Sequence, residues 1–297
     1  PIPYASQFED VPAIKRLTML EKTLVERLER KSKMVLDELS LVKGDWQEVT
    51  FRMIARSMGF KANDQAMLLT ARQIPFKWIR KLTQTEEIEA LLLGSAGFLA
   101  GDFRDEAMKG LQKAFGYFQL KYPELKSIDL SNWKFAPLRP QNQPAQRLVQ
   151  LAAILHQTRN PWDRFLVRAS ANELMIDLQA ELSPYWQIHI SPDRTTKRPI
   201  RQVSTTTIFH LLINVTAPML AAYSLQQDAP HYMDKAINLL TQLGTEENRI
   251  TKLWRDMNWR CSSAFDSQAL NELFQQYCEP KRCLKCNIGV PLLNRDS

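Results

Sequence analysis

Apolar residues recur at helical spacing along most of the chain. Between Ile14 and Leu39, leucine and valine return every three, four or seven positions, and the opposite side of the segment is charged. Because an α-helix has about 3.6 residues per turn, this spacing puts the apolar side chains on one face. The pattern predicts a long amphipathic helix here and shorter helices along much of the remaining chain.

Capping residues predict where several of these helices begin. Asp45 can accept hydrogen bonds from the first turn of a helix that ends at Met58, with Gly59 at the position after it. Further starts are predicted at Asn63 or Asp64, Thr83 with Glu86, Asp102, Pro144, Pro161, Ser170 with Glu173, Ser204, and Ser263 with Asp266. We expect Pro218 to kink the helix that Ser204 opens, because proline lacks the backbone N–H that continues the ladder.

Two irregular stretches, 121–143 and 183–203, interrupt this pattern. In the second, the alternation of Trp186, Ile188 and Ile190 is the single indication of a strand. The pattern as a whole therefore predicts an all-α, multi-helix globular domain of about a dozen helices with a cysteine-bearing C-terminal tail. The chain forms either a single helical domain, 1–297, or two intimate subdomains, 1–143 and 144–297.

Composition agrees with a globular helical protein. The 297 residues are 44% hydrophobic and 24% charged, with 9 glycines and 16 prolines, which is unlike the glycine-rich turns of β folds. The net charge of +7 permits contact with nucleic acid or with an acidic partner.

The sequence gives no indication of export or of a membrane span. The chain begins PIPYASQFEDVP, which lacks the features of a signal peptide and is typical of an internal start within a longer protein. The most apolar run, Ile208–Tyr223, contains His210, Asn214 and Pro218 and is short for a span, so it predicts a central buried helix. We expect a cytoplasmic protein with no membrane partner, and the sequence does not indicate an oligomeric state.

All four cysteines lie near the C-terminus, at Cys261, Cys278, Cys283 and Cys286. The Cys283–Cys286 spacing lets two thiolates converge on one metal ion, and Cys278 is four residues before this pair. A helix predicted between Cys261 and Cys278 separates the first cysteine from the others, so Cys261 can join them only if the chain folds back.

Three kinds of cysteine site fit this spacing. A structural zinc site is the first, an iron–sulfur cluster the second, and a set of reduced thiols without metal the third. Disulfides are disfavoured, because nothing in the sequence indicates an oxidising compartment. Lys281, Arg282 and Lys285 surround the pair, and we expect these cations to lower the pKa values of the thiols.

A basic loop is the second candidate site. Arg194, Lys197, Arg198 and Arg201 lie in the second irregular stretch, with Asp193 as the acidic residue that could offset them. Such a loop could contact the phosphates of DNA or RNA, although a solvated loop between helices has the same composition. Trp254 and Trp259, among basic residues, could stack on bases, but at helical spacing they are more typical of a core.

No catalytic constellation is visible. The four histidines are dispersed, and the sequence lacks the phosphate-binding, dinucleotide-binding and nucleophile-elbow motifs. His210 is predicted to be a hydrogen-bonded core residue next to Asn214, one turn further along the helix. We therefore expect no catalytic residue in this chain. An enzyme that uses Cys283 or Cys286 as nucleophile receives the least support, since no histidine is paired with either.

Several phrases together resemble one known family. They are ERLERK (26–31), GDWQEVTFRMIARSMGFKAN (44–63), IEALLLGSAGFL (88–99), LRPQNQPAQRLVQ (138–150), SAFDSQAL (263–270) and YCEPKRCLKCNIG (277–289). On these phrases the chain resembles DUF2851, a bacterial family without an established function that is common in Bacteroidetes.

The resemblance implies more than this chain contains. Family members are longer, with an additional N-terminal region whose acidic motifs look similar to the core of PD-(D/E)XK nucleases. It implies that this chain is the C-terminal helical part, that its partners include its own missing N-terminal region, and that Cys278, Cys283 and Cys286 act as a unit. Our leading hypothesis is a non-catalytic helical module of a nucleic-acid-processing protein. The alternative is a protein-interaction or structural scaffold without nucleic-acid binding.

Overall fold

The computed structural model of the chain describes residues 2–3, 5–135, 138–139 and 142–293. Part of the predicted irregular stretch 121–143, including residues 140 and 141 of the LRPQNQP phrase, lies outside the described residues. Helices make up 68% of the chain, and the strands of the described residues form a single two-stranded sheet. The predicted all-α fold with a cysteine-bearing tail is therefore confirmed.

Contacts divide the chain into two compact units. The terminal unit comprises 1–36 and 217–297, and the central unit comprises 37–216. Residue 143, where the sequence offered an alternative boundary, lies within the central unit. Helix α1, Ala13–Leu41, continues from the terminal unit into the central unit, so the division falls inside a helix.

The central unit contains α2 to α11 and the small sheet. Its helices are α2 (Trp46–Met58), α3 (Phe60–Arg72), α4 (Phe76–Ile79), α5 (Thr85–Ser95), α6 (Glu106–Lys121), α7 (Pro144–Thr158), α8 (Pro161–Val167), α9 (Ala171–Leu178), α10 (Pro184–Ile188) and α11 (Thr205–Leu211). Strands β1 (His189–Ser191) and β2 (Arg194–Thr195) pair antiparallel, a 3₁₀ turn covers Leu130–Asn132, and a π-helical turn, Leu212–Thr216, follows α11.

Aromatic side chains form much of the core of the central unit. Phe51 stacks on Phe76 with ring centroids 5.6 Å apart, and both are buried. Helices α5 and α6 pack closely because Gly94 has no side chain: a Cβ there would lie 2.1 Å from the ring of Phe115. Burial of such rings, together with the more numerous aliphatic side chains, stabilises the unit.

The terminal unit contains the first part of α1 and the last helices of the chain. These are α12 (Ala217–Gln227), α13 (His231–Gln242), α14 (Arg249–Arg255), α15 (Ala264–Leu273) and α16 (Gly289–Leu293), with shorter turns at Ala5–Asp10, Phe274–Cys278 and Cys283–Lys285. Helix α15 packs against α13 and α14. Glu272 of α15 is 1% exposed and forms ion pairs with Arg27 and Arg30 of α1.

Many predicted helix starts are confirmed. Asp45 accepts the backbone N–H groups of Gln47 and Glu48 at the start of α2. Pro144 and Pro161 are the first residues of α7 and α8. The remaining confirmed caps are Ser170 with Glu173, Ser204, and Ser263 with Asp266.

Other predicted helix starts and the predicted strand differ from the structure by a few residues. The cap of α5 is formed by Glu87, whose carboxylate accepts the N–H groups of Thr83 and Gln84, instead of by Thr83 with Glu86. Helix α6 begins after Asp105, three residues later than predicted. The predicted strand was wrong over Trp186 and Ile188, which belong to α10. A residue-by-residue pattern does not show which of several adjacent polar groups reaches the helix end.

The chain around Gly59 also differs from prediction. Helix α3 begins at Phe60, and Asn63 marks a kink inside it instead of the start. Gly59 has a helical φ of −74°, and the left-handed conformation falls on Phe60, with φ +51°. Glycine is needed at 59 for space, because a Cβ would lie 2.3 Å from the backbone oxygen of Asn63.

Among the described residues, one helical segment is long and apolar enough to cross a membrane by length and composition. It is Thr205–Gln227, and 72% of its most apolar window is buried in the structure. Core helices of soluble proteins have the same property, which agrees with the predicted central buried helix. The π-helical turn directly precedes the helix that contains Pro218, the residue expected to cause a kink.

Candidate functional site

The four basic residues predicted to contact nucleic acid lie on the β-hairpin and the loop that follows it. Arg194 is in β2, and Lys197, Arg198 and Arg201 come directly after the strand. All four side chains are exposed, and none forms an ion pair with any residue of the described chain. Their positive charges are therefore available to a ligand in solvent. We call these four residues the basic loop.

Backbone hydrogen bonds fix the basic loop against the preceding segment. They are Thr196 N–H to Ile188 O (2.8 Å), Ile200 N–H to Gln187 O (2.7 Å) and Leu182 N–H to Arg201 O (2.9 Å). The hydroxyl of Thr196 also bonds both to the N–H and to the carbonyl of Arg198. A loop tied in this way is ordered before any ligand arrives, so binding loses less conformational entropy.

Asp193, the acidic residue of the hairpin turn, is engaged elsewhere. Its carboxylate accepts the backbone N–H groups of Arg104 (3.4 Å) and Asp105 (3.3 Å), where α6 begins. Desolvation favours a higher pKa for Asp193, but these two hydrogen bonds outweigh it and lower the pKa. The carboxylate thus complements the positive end of α6 and forms no ion pair with the basic loop.

Residues that the sequence analysis did not single out support the hairpin. The Tyr185 hydroxyl donates to Asp105 (2.8 Å) and accepts the N–H of Asp193 (3.3 Å), and its ring stacks on His189 at 3.8 Å. Burial, followed by the hydrogen bond to Asp105, raises the pKa of Tyr185. The single indication in the sequence was the aromatic residue at the start of YWQIHI, and it does not reveal these partners.

The cysteines separate into a group of three and a single residue. Cys278, Cys283 and Cys286 line one small cavity of about 20 Å³, together with apolar residues such as Leu273. Cys261 is not among these residues: its carbonyl accepts the hydroxyl of Thr245 at the other end of α15. The structure thus brings three of the four predicted ligands to one cavity.

The turn that contains Cys283 and Cys286 is tightly folded. Cys286 N–H donates to Cys283 O over a 3₁₀ turn, and Gly289 passes so close that a Cβ there would lie 2.6 Å from Cys283 O. Backbone N–H groups of Ile288 and Gly289 point to the sulfur of Cys286. Such N–H groups stabilise a thiolate, whether it is free or bound to metal.

The prediction that nearby cations lower the thiol pKa values was wrong for the buried cysteines. Burial raises the pKa of Cys278 to about 12, and burial also raises the pKa of Cys286 and of Cys261. Lys281, Arg282 and Lys285 are exposed to solvent, which screens their charges. In this arrangement the buried thiols are protonated at neutral pH.

Within the described residues, no group of three or more histidine, cysteine, aspartate or glutamate side chains is close enough to hold a metal ion. The three cysteines that share a cavity would have to move toward one another to bind zinc or an iron–sulfur cluster. Both predictions of metal therefore stay predictions. The four cysteines are free thiols.

The second basic and aromatic neighbourhood belongs to the core of the terminal unit. Trp254 and Trp259 are buried and contact the ring of Phe8, at 5.4 Å and 5.8 Å between centroids. Arg255, close to them in sequence, forms an ion pair with Glu247. These tryptophans cannot stack on bases without unfolding part of the unit.

The predicted neighbours His210 and Asn214 are in contact in the central unit. The side-chain amide of Asn214 lies 3.2 Å from Nδ1 of His210 and donates to the backbone oxygen of that residue at 3.1 Å. The ring of His210 also stacks on Phe60, at 4.3 Å between centroids. This second contact leaves no sign in the sequence, because Phe60 lies far from His210 along the chain.

Comparison with known proteins identifies a family and no characterised relative. The model of the family described as "Protein of unknown function (DUF2851)" matches residues 1–249. A search of curated proteins and a search of solved structures each found no match. The matched residues include the basic loop and end before Cys261, so the match gives no information about the cysteines.

Proposed function

The chain belongs to the DUF2851 family of proteins of unknown function, and we propose that it is a non-catalytic helical module that binds nucleic acid. The observation that supports this proposal is that the basic loop is exposed, positively charged and held in place by backbone hydrogen bonds. Arg194, Lys197, Arg198 and Arg201 are exposed and form no ion pair within the part of the chain that the structure describes, and the backbone that holds them is fixed by hydrogen bonds. The neighbouring carboxylate, Asp193, is bonded to the first turn of α6.

Such a surface binds the phosphate backbone and does not read sequence. Each lysine or arginine near a phosphate releases a condensed counterion, so affinity falls steeply with salt. Four contacts predict a slope of about −3.6 in log affinity against log salt for duplex DNA, and about −2.8 for a single strand. The basic loop contains no aromatic residue that could stack on a base, which favours binding without base preference.

The resemblance to longer, nuclease-like family members gives this binding a role. A module that holds the phosphate backbone would keep the substrate near a catalytic region supplied by another part of the same protein. The four free thiols suit a reducing compartment, and we place the module in the cytoplasm.

Fluorescence anisotropy with labelled DNA and RNA of 30 nucleotides tests the proposal. We expect binding at 50 mM salt that weakens strongly at 200 mM. The double variant Arg198→Glu with Arg201→Glu should lose most of this binding, because two attractive contacts become repulsive.

The matched control makes the same change in net charge within the other unit of the chain. Lys33→Glu with Arg249→Glu replaces two exposed cations of the terminal unit, and it should bind nearly as well as the unchanged protein. Absence of binding at 50 mM salt contradicts the proposal and favours the scaffold alternative. Equal losses in the two double variants would contradict the assignment to the basic loop.

A further inference from the structure

Arg147 of α7 is a buried cation without a carboxylate partner among the described residues. It is 5% exposed, and it forms no ion pair with any residue that the structure describes. Its guanidinium donates to neutral acceptors: Oε1 of Gln150 (2.8 Å), Oγ1 of Thr207 (2.9 Å) and Oδ1 of Asn142 (2.5 Å). A buried arginine is normally paired with an acid, because an isolated charge in the interior is costly. A group with a negative charge that balances Arg147 therefore has to be identified.

The guanidinium also has a hydrogen-bond donor to spare. Arginine has five N–H donors, and the described acceptors account for two on Nη1 and one on Nη2. Nε has no hydrogen-bond partner in the described structure although it is buried. Among the described residues Nε–H is therefore left for a ligand, and an oxyanion can bind a guanidinium through Nε–H and a neighbouring N–H with two parallel hydrogen bonds.

A cavity of about 40 Å³ adjoins Arg147 in the central unit. Residues that line it include Phe60, Ala62, Asn63, Trp133, Asn142 and Arg147. A cavity measured by the space open to the centre of a water molecule needs about 10–15 Å³ to hold one water, so this cavity holds only a few heavy atoms. It is large enough for the charged end of a ligand and too small for a nucleotide. Its largely apolar wall strengthens any attraction between Arg147 and an anion.

Phe60 forms one wall of this cavity in a strained conformation. Its φ of +51° is rare for a bulky residue and is energetically unfavourable. The strain places the ring 4.4 Å from the guanidinium of Arg147, opposite the stacked ring of His210. A π-helical turn, Leu212–Thr216, follows the helix that contains His210. Strained residues and π-helical turns are both frequent at ligand sites.

Arg147 stays charged in the folded protein at neutral pH. Burial lowers its pKa to about 10, which is still well above neutral pH. The charge therefore exists at pH 7 and lacks a counterion among the described residues.

We propose that the cavity beside Arg147 binds a phosphate or carboxylate group of a small ligand through Nε–H and a neighbouring N–H of this arginine. The anion supplies the missing counter-charge and an acceptor for Nε–H. This site is separate from the basic loop, and neither proposal depends on the other.

Thermal unfolding in different salts tests the site directly. We expect inorganic phosphate, acetate or both to raise the Tm at low millimolar concentration, with saturation, relative to sodium chloride of equal ionic strength at pH 7. A rise with phosphate alone identifies a phosphate group as the ligand, and a rise with acetate alone identifies a carboxylate. An unchanged Tm in both salts overturns the proposal.

Variants separate this effect from the general stabilisation that phosphate gives to proteins. Arg147→Met should lose the saturable rise, and the charge-matched control Arg249→Met in the terminal unit should keep it. Ala62→Leu fills the cavity but retains Arg147, so it should also lose the rise even if Arg147→Met does not fold. A saturable rise that persists in Ala62→Leu or in folded Arg147→Met overturns the assignment.

Discussion

Asp193 and Asp105 are joined by a hydrogen bond of 3.3 Å from the backbone N–H of Asp105 to the carboxylate of Asp193. The two residues lie 88 positions apart in the sequence. The bond connects the turn of the β-hairpin to the start of α6 and directs the acidic group of the hairpin away from ion pairs with the basic loop. The positive character of this surface thus depends on a contact with a distant helix.

Substitutions at Asp193 separate its charge from its hydrogen bonds. Asp193→Asn keeps an oxygen acceptor for α6 but removes the negative charge, so nucleic-acid binding should tighten about two- to five-fold. Asp193→Ala removes the acceptor as well and should lower the urea midpoint of the central unit, as the loss of other helix caps does, whereas Asp193→Asn should lower it less. Anisotropy and urea unfolding measure the two effects. Unchanged affinity in Asp193→Asn would contradict a role for this surface.

The buried carboxyl of Glu89 should make stability depend on pH. Ser183 donates to it at 2.7 Å, the side chain is 1% exposed, and burial raises its pKa to about 8. Since the pKa in the unfolded chain is about 4.3, the folded state binds the proton more tightly. The resulting stability is fully present below about pH 4 and is lost as pH rises to about 8.

The variant Glu89→Gln tests this dependence, because glutamine is neutral and nearly the same shape. We expect little change in unfolding free energy at pH 5 and a gain at pH 9, with an upper bound of several kcal/mol at about 1.4 kcal/mol per pKa unit. Urea unfolding at the two pH values measures it. As a control, Glu86→Gln replaces an exposed carboxylate near the start of the same helix. If the difference in unfolding free energy between Glu89→Gln and the unchanged protein does not grow from pH 5 to pH 9, Glu89 is ionised in the folded protein at both pH values.

The ion pairs of Glu272 should contribute to the stability of the terminal unit. Desolvation favours a higher pKa for Glu272, but the hydrogen bonds and charges of Arg30 and Arg27 outweigh it and lower the pKa. Its contribution to stability is therefore present above about pH 4.3, the value of an unfolded glutamate, and is lost as pH falls through the lower folded value.

Glu272→Gln leaves the buried charge of Arg27 without its counterion. We expect a loss of about 3 kcal/mol, typical of removing one partner from a buried pair. Glu247→Gln breaks the exposed pair with Arg255 and should change stability much less than Glu272→Gln does, because solvent screens the exposed pair. If urea unfolding shows the same loss of unfolding free energy for Glu272→Gln and Glu247→Gln, burial does not strengthen the ion pairs of Glu272.

Metal analysis tests the zinc prediction. From the sequence we expect one zinc ion per chain in anaerobically purified protein, lost in Cys283→Ser. Because Cys261 lies apart from the cavity shared by the other three cysteines, Cys261→Ser should retain the metal. Iron with visible absorbance would identify a cluster instead. A metal-free protein would contradict the prediction and leave Cys278 as a buried, protonated thiol.

Local chemistry determined most of the secondary structure. Asp45, Pro144 and Ser263 begin helices because each satisfies, or does not need, a hydrogen bond within its own first turn. The apolar stripe of α1 likewise depends only on spacing. The sequence also placed Cys283 and Cys286 in one turn, since two intervening residues leave little freedom.

Tertiary structure decided which cysteines share a cavity and which charged side chains have partners, because both depend on residues that are distant in the sequence. The separation of Cys261 from the other cysteines follows from the path of the chain around α15. The burial of Arg147, with no described acid beside it, depends on which segments pack together, as does the bond from Asp105 to Asp193. Hydrophobic periodicity shows which face of an element is buried, but it contains no information about the element that covers this face. For that physical reason, the sequence by itself determined the helices and the cysteine pair, and only packing decided which charges are exposed, neutralised or left without a partner.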